Sequence, residues 1–251
     1  MKVFLFLLFL VPSIAFADKN TDYINTIPDL LQTDSHANFG PGGKMYCGPV
    51  AVSNSLVWLE GVSSLRYQID LAKQLATSQY MNTEGRDGTP TQNLIAGIDK
   101  YVREKWGNYR SLKYQGLWMP SAKYATTQRV PQLDWLKQGI SRKGGVWINV
   151  GWYRQDPNSN TFHRYGGHWV TLVGYDFIGR TVLVIHDPAP RSGKKFQNHF
   201  VHLEKMNGGT IQVDRRQKPW AAKGLFIMGE GMQKMRKGDC AILEGAVRLM
   251  L

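Results

Sequence analysis

Cysteine is scarce in this chain: two residues, Cys47 and Cys240, in 251. So few thiols exclude a small scaffold held by a disulfide framework. Acidic residues are also few, 19 against 31 lysines and arginines, which leaves a formal net charge of +12. Such an excess favours acidic partners, but the basic residues are dispersed. No long basic tract or nucleic-acid motif accompanies them, so nucleic acid is not expected as a partner. Beyond the first 17 residues no apolar run is long enough to span a bilayer. Internal repeats, low-complexity segments and an obvious interdomain linker are likewise missing.

What is present is an ordinary globular composition, 43% hydrophobic and 12% aromatic, enough to bury a full core. The chain opens with Met1-Lys2, an apolar run from Val3 to Val11, and Ala15-Phe16-Ala17. This order is that of a secretory signal peptide over residues 1–17, cleaved before Asp18. The expected product is exported, periplasmic or secreted, with one domain over residues 18–251 and a net charge of +11 once Lys2 is gone.

Periodicity divides the chain. Helices are predicted over Pro49–Glu60, over Leu65–Leu75, from a capping box at Thr89-Pro90-Thr91-Gln92, and over Pro131–Ser141. From Val146 the period changes to two. Val146–Val150, Trp169–Tyr175, Thr181–His186, Thr210–Val213 and Leu225–Met228 read as strands, the second and third joined as a hairpin across Gly179. Helices first and an antiparallel sheet afterwards make an α+β class.

Cys47 lies in Tyr46-Cys47-Gly48-Pro49, at the start of the first predicted helix. Unpaired N–H groups and the positive helix end favour thiolate there. His168, in Gly166-Gly167-His168-Trp169, opens one hairpin strand, and Asp187, in Asp187-Pro188, closes its partner. A carboxylate there can hold one imidazole nitrogen while the other faces a thiolate. The competing expectation for Cys47 is a disulfide with Cys240. His199 and His202 lie three apart in an extended region, where their side chains diverge. No metal or other cofactor is expected.

These motifs resemble those of the papain-like cysteine peptidases, in the branch of the bacteriocin leader peptidases and their stand-alone exported bacterial relatives. The resemblance rests on Tyr46-Cys47-Gly48-Pro49 before a helix, Gly167-His168-Trp169-Val170 opening a strand, and Asp187-Pro188 closing the next. It implies a papain-like fold and a Cys47–His168–Asp187 triad attacking a peptide or amide carbonyl through a thioester. The partner implied is a peptide or protein substrate, an envelope component among the candidates. One departure stands out: where the family places an oxyanion-hole glutamine, six residues before the cysteine, this chain has Pro41. Asn38 is the candidate replacement, with Gln32 behind it. A non-catalytic peptide-binding module and an acyltransferase using the same triad are the alternatives.

Overall fold

The computed structural model describes residues 20–83, 88–156, 158–189, 199–213, 218–232 and 238–251. The expected signal peptide lies outside these residues. Among them, no helix is long and apolar enough to cross a membrane.

A short strand, β1 (Thr21–Tyr23), precedes three helices: α1 (Cys47–Leu59), α2 (Leu65–Ala76) and α3 (Thr91–Trp106). Strand β2 (Ser111–Gly116) then separates α3 from the seven-residue α4 (Leu133–Gly139). The rest is strand: β3 (Gly144–Asp156), β4 (Thr161–Asp176), β5 (Val182–His186), β6 (His199–Lys205), β7 (Thr210–Gln212), β8 (Trp220–Ala221), β9 (Phe226–Met228) and β10 (Asp239–Met250). Ser64 caps α2 by accepting from the Tyr67 N–H. The capping box predicted for α3 does not form. Pro90 occupies the N-cap, and the Thr89 hydroxyl bonds Thr83 at 2.6 Å instead.

The papain-like α+β expectation, helices followed by an open sheet, is overturned. The strands form a closed antiparallel barrel of six, β3–β4–β5–β6–β9–β10 and back to β3. The closing element is β10, a 12-residue strand whose central residues are almost all buried. It pairs with β3, β9 and β2 at once by changing partners along its length. Buried on both faces, Ala241-Ile242-Leu243-Glu244-Gly245-Ala246-Val247 shows no apolar–polar alternation, so the period-two signal of a half-exposed strand is absent. Closure leaves these six strands no free edge within the barrel.

The barrel interior is one apolar cluster to which all six strands contribute, including Val146, Ile148, Val150, Val170, Leu172, Ile185, Val201, Met228 and Leu243. A second cluster packs α1, α2 and α3 onto the outer face through Trp147 and Trp169. Helix α1 is buried from Cys47 to Val57, its polar Ser53, Asn54 and Ser55 included. Polar bonds fix its position. Asn54 accepts from the Gln68 amide at 2.6 Å and the Leu30 N–H at 3.2 Å, and donates to Thr171 Oγ1 at 3.1 Å. Thr171 Oγ1 and Trp147 Nε1 both donate to the Ala51 carbonyl, at 2.7 and 3.1 Å. The middle of α1 is thereby tied to β3 and β4.

Candidate active site

Cys47 begins α1 rather than preceding it, and is buried. His168 sits within β4, opposite Val150 on β3. It is not at the strand's entry, because β4 starts at Thr161, well before the apolar run that begins at Trp169. The last β4–β5 pair is Thr171–His186, and Asp187 is the first residue beyond β5. The structure brings the three side chains together. His168 Nε2 lies 2.5 Å from Asp187 Oδ1, which also accepts the Ala189 N–H at 2.9 Å. With Nε2 engaged, Nδ1 is the ring atom left to interact with the Cys47 thiol, which lines the same cleft. Trp152 stacks beside the imidazole, with ring centroids 6.5 Å apart.

The electrostatics favour an ion pair. Burial alone pushes the Cys47 thiol up, but the His168 hydrogen bond and charge, with backbone bonds to Trp169 and Gly48, hold it below its ordinary 9.0. Burial likewise opposes a charged His168. The Asp187 carboxylate and the Cys47 bond overcome it and raise the ring to about 9. Cys47 and Cys240 are both free thiols, so the disulfide alternative is not realised. Cys240 lies on β10 opposite Tyr153.

The oxyanion-hole candidates are placed differently. Asn38 is exposed, with a left-handed φ of 46°, and is not among the residues lining the cleft at Cys47. Gln32 is buried, and its amide nitrogen donates to the Gly43 and Lys44 carbonyls at 2.9 and 3.1 Å. It clamps the loop before Cys47, while its N–H donates to the Pro188 carbonyl at 2.8 Å, anchoring that loop beside Asp187. The space at Gly48 is filled from within the protein: a Cβ there would lie 2.7 Å from Thr89 Oγ1.

Cys47, His168 and Trp169 open onto a cleft of about 550 Å³. Its other walls include Gln92, Trp118, Met119, Asn149, Arg164 and Gly167. Trp118, Asn149 and Arg164 were not singled out from the sequence. Trp118 lies on the stretch after β2, Asn149 and Arg164 on β3 and β4. The available signal was the Gly166-Gly167 pair next to His168. A Cβ at Gly167 would in fact strike the Arg164 guanidinium.

A sequence model of the Peptidase_C39 like family matches residues 24–207, which contain Cys47, His168 and Asp187. The chain belongs to that family. The match agrees with the resemblance to the branch of the bacteriocin leader peptidases and supports a cysteine-peptidase-like function. No curated protein matches the chain.

Proposed function

We propose that this member of the Peptidase_C39 like family is an exported cysteine peptidase or amide hydrolase working through Cys47, His168 and Asp187. One observation carries the proposal: a buried thiol at a helix start, bonded to a histidine that is itself held 2.5 Å from a carboxylate, opens on a peptide-sized cleft. The Cys47 thiolate adds to the substrate carbonyl carbon, and the carbonyl electron pair moves onto oxygen. Collapse expels the amine, which takes its proton from the His168 imidazolium, and leaves a thioester. A water then gives a proton to His168 and attacks the thioester, releasing the acid and restoring the thiolate–imidazolium pair. Asp187 keeps the ring oriented and charged throughout.

In this scheme the backbone N–H at the start of α1 stabilises the oxyanion. Asn38 completes the hole if its loop turns toward the cleft when substrate binds; an Asn38→Ala variant with a reduced kcat supports that part. Export rests on the character of residues 1–17, and a mature protein beginning at Asp18 by mass spectrometry checks it. The central test is Cys47→Ala. The fold, followed by circular dichroism, should be retained and turnover of a peptide library abolished. Retained turnover overturns the assignment. Adding a primary amine to the wild-type reaction separates hydrolysis from acyl transfer.

A further inference from the structure

Although the chain is strongly basic overall, the described residues of its cleft present no uncompensated positive charge. Among the described residues lining it, the charged side chains are Arg164 and the Cys47–His168 pair. Asp187 backs His168. Arg164 is neutralised by Glu244, a fully buried residue on β10. Glu244 is the extra residue of a β-bulge: Leu243 faces Val150 and Gly245 faces Asn149 on β3, leaving Glu244 without a partner of its own. Bulges re-aim side chains in this way beside functional sites.

The Glu244 carboxylate is fully occupied. It accepts from Arg164 Nε at 2.6 Å and Nη2 at 3.0 Å, from the Tyr153 hydroxyl at 2.5 Å, and from Trp118 Nε1 at 3.1 Å. Trp118 Nε1 also reaches Asn149 Oδ1 at 2.8 Å, and the Asn149 amide donates to the His168 carbonyl at 3.4 Å. The guanidinium lies 5.0 Å from the centre of the Trp118 ring. With one hydrogen each of Nε and Nη2 on Glu244, three guanidinium hydrogens, two on Nη1 and one on Nη2, are left, and the Arg164 side chain is 21% exposed. The absent Cβ of Gly167 makes room for this arrangement.

We infer that Arg164 is a specificity-determining residue, donating from its remaining guanidinium hydrogens to a neutral carbonyl of the substrate next to the scissile bond. The substrate residue seated there is uncharged, with its side chain against Trp118 and the exposed Met119. The inference rests on the cysteine-peptidase proposal above. Its physical basis is compensation. A substrate carboxylate at Arg164 would also meet Glu244 one guanidinium away, and would lose its hydration without gaining an unpaired cation. A carbonyl loses far less on leaving water and accepts from the free guanidinium hydrogens. The basic outer surface therefore does not predict acidic specificity at the bond cleaved.

The test is cleavage of internally quenched peptides carrying Leu, Gln or Glu in turn at each of the two positions on either side of the scissile bond. At the position beside Arg164, the Leu and Gln peptides should exceed the Glu peptide in kcat/KM by about tenfold or more, a difference carried mainly by KM. Glu244→Gln leaves the guanidinium uncompensated, so the Glu peptide should gain about tenfold relative to Gln. Arg164→Met should raise KM for the Leu and Gln peptides. Equal cleavage of Gln and Glu peptides at all four positions by the wild type overturns this inference alone. An unchanged Gln-to-Glu ratio in folded Glu244→Gln also overturns it. Should that variant fail to fold, the wild-type comparison decides. Cleavage of no peptide, with Cys47 unreactive toward iodoacetamide, overturns the peptidase proposal and this inference with it.

Discussion

Replacing His168 by Ala should shift Cys47 from thiolate to thiol at neutral pH, by an amount that follows from its surroundings. The side chain is buried, and burial alone raises a thiol. What holds Cys47 below 9.0 is chiefly the hydrogen bond and charge of His168. Without the ring, the backbone bonds to Trp169 and Gly48 remain against the full cost of burial, so the thiol should return to 9.0 or higher. At pH 7 a thiol of that strength is about 1% ionised, and the wild-type thiol, held lower by His168, should be ionised to a larger extent. Thiolate absorbance at 240 nm, measured from pH 4 to 9.5 against Cys47→Ala to subtract Cys240, reports the fraction directly. The iodoacetamide rate at pH 7 should fall too, but by less than the thiolate fraction, because a thiolate of higher pKa is intrinsically the stronger nucleophile. The sign is fixed: the wild-type midpoint lies below 9.0 and the variant midpoint at or above it. Equal midpoints would show that the helix terminus and backbone bonds alone ionise Cys47, and would refute a role for His168 in activating it.

Asp187→Asn removes the charge that sustains the imidazolium, so the His168 titration followed by NMR should drop from about 9 to well below it. In peptide hydrolysis the wild-type alkaline limb should likewise fall near pH 9, where His168 loses the proton it gives the leaving amine, and Asp187→Asn should move that limb to lower pH. Asn54→Ala strands the Leu30 N–H and takes one bond each from the Gln68 amide and the Thr171 hydroxyl, which keep their bonds to Ser53 and to the Ala51 carbonyl. It should cost about 2–4 kcal/mol in urea denaturation and slow Cys47 alkylation by loosening the helix from β4. Ending the chain before Asp239 removes β10 and opens the barrel, so cooperative thermal unfolding should be lost.

The chemistry was legible in the sequence because its signals are local. Tyr46-Cys47-Gly48-Pro49 announces a helix start, and Gly167-His168 and Asp187-Pro188 fall where β-branched runs begin and end. The hairpin pairing of β4 with β5 then brings His168 and Asp187 to one place whatever the rest of the sheet does. The barrel was not legible. Its closure depends on β10, where burial on both faces erases alternation, and on β3 and β4 extending past their apolar segments into Trp152–Asp156 and Thr161–Gly167. Polar residues in those extensions looked like loop.

The same extensions explain why half of the cleft escaped notice. Arg164 lies in a stretch that carries no strand pattern, and Glu244 stands 80 positions later in one that carries none either. A buried acid in an apolar run ordinarily argues against a core strand. Here it marks the bulge, since only an unpaired residue on β10 can turn its carboxylate toward Arg164, Tyr153 and Trp118 together. The acid is tolerated because its carboxylate is bonded by Arg164 and Trp118 of the cleft wall and by the buried Tyr153 behind them. The price of that arrangement is mutual dependence: removing Arg164 leaves a buried carboxylate with neutral donors alone, and removing Glu244 leaves a cation beside the substrate. Arg164→Met should therefore cost stability that Arg164→Met combined with Glu244→Gln largely restores. Purely additive losses in the double-mutant cycle would show that the two side chains do not act as a pair.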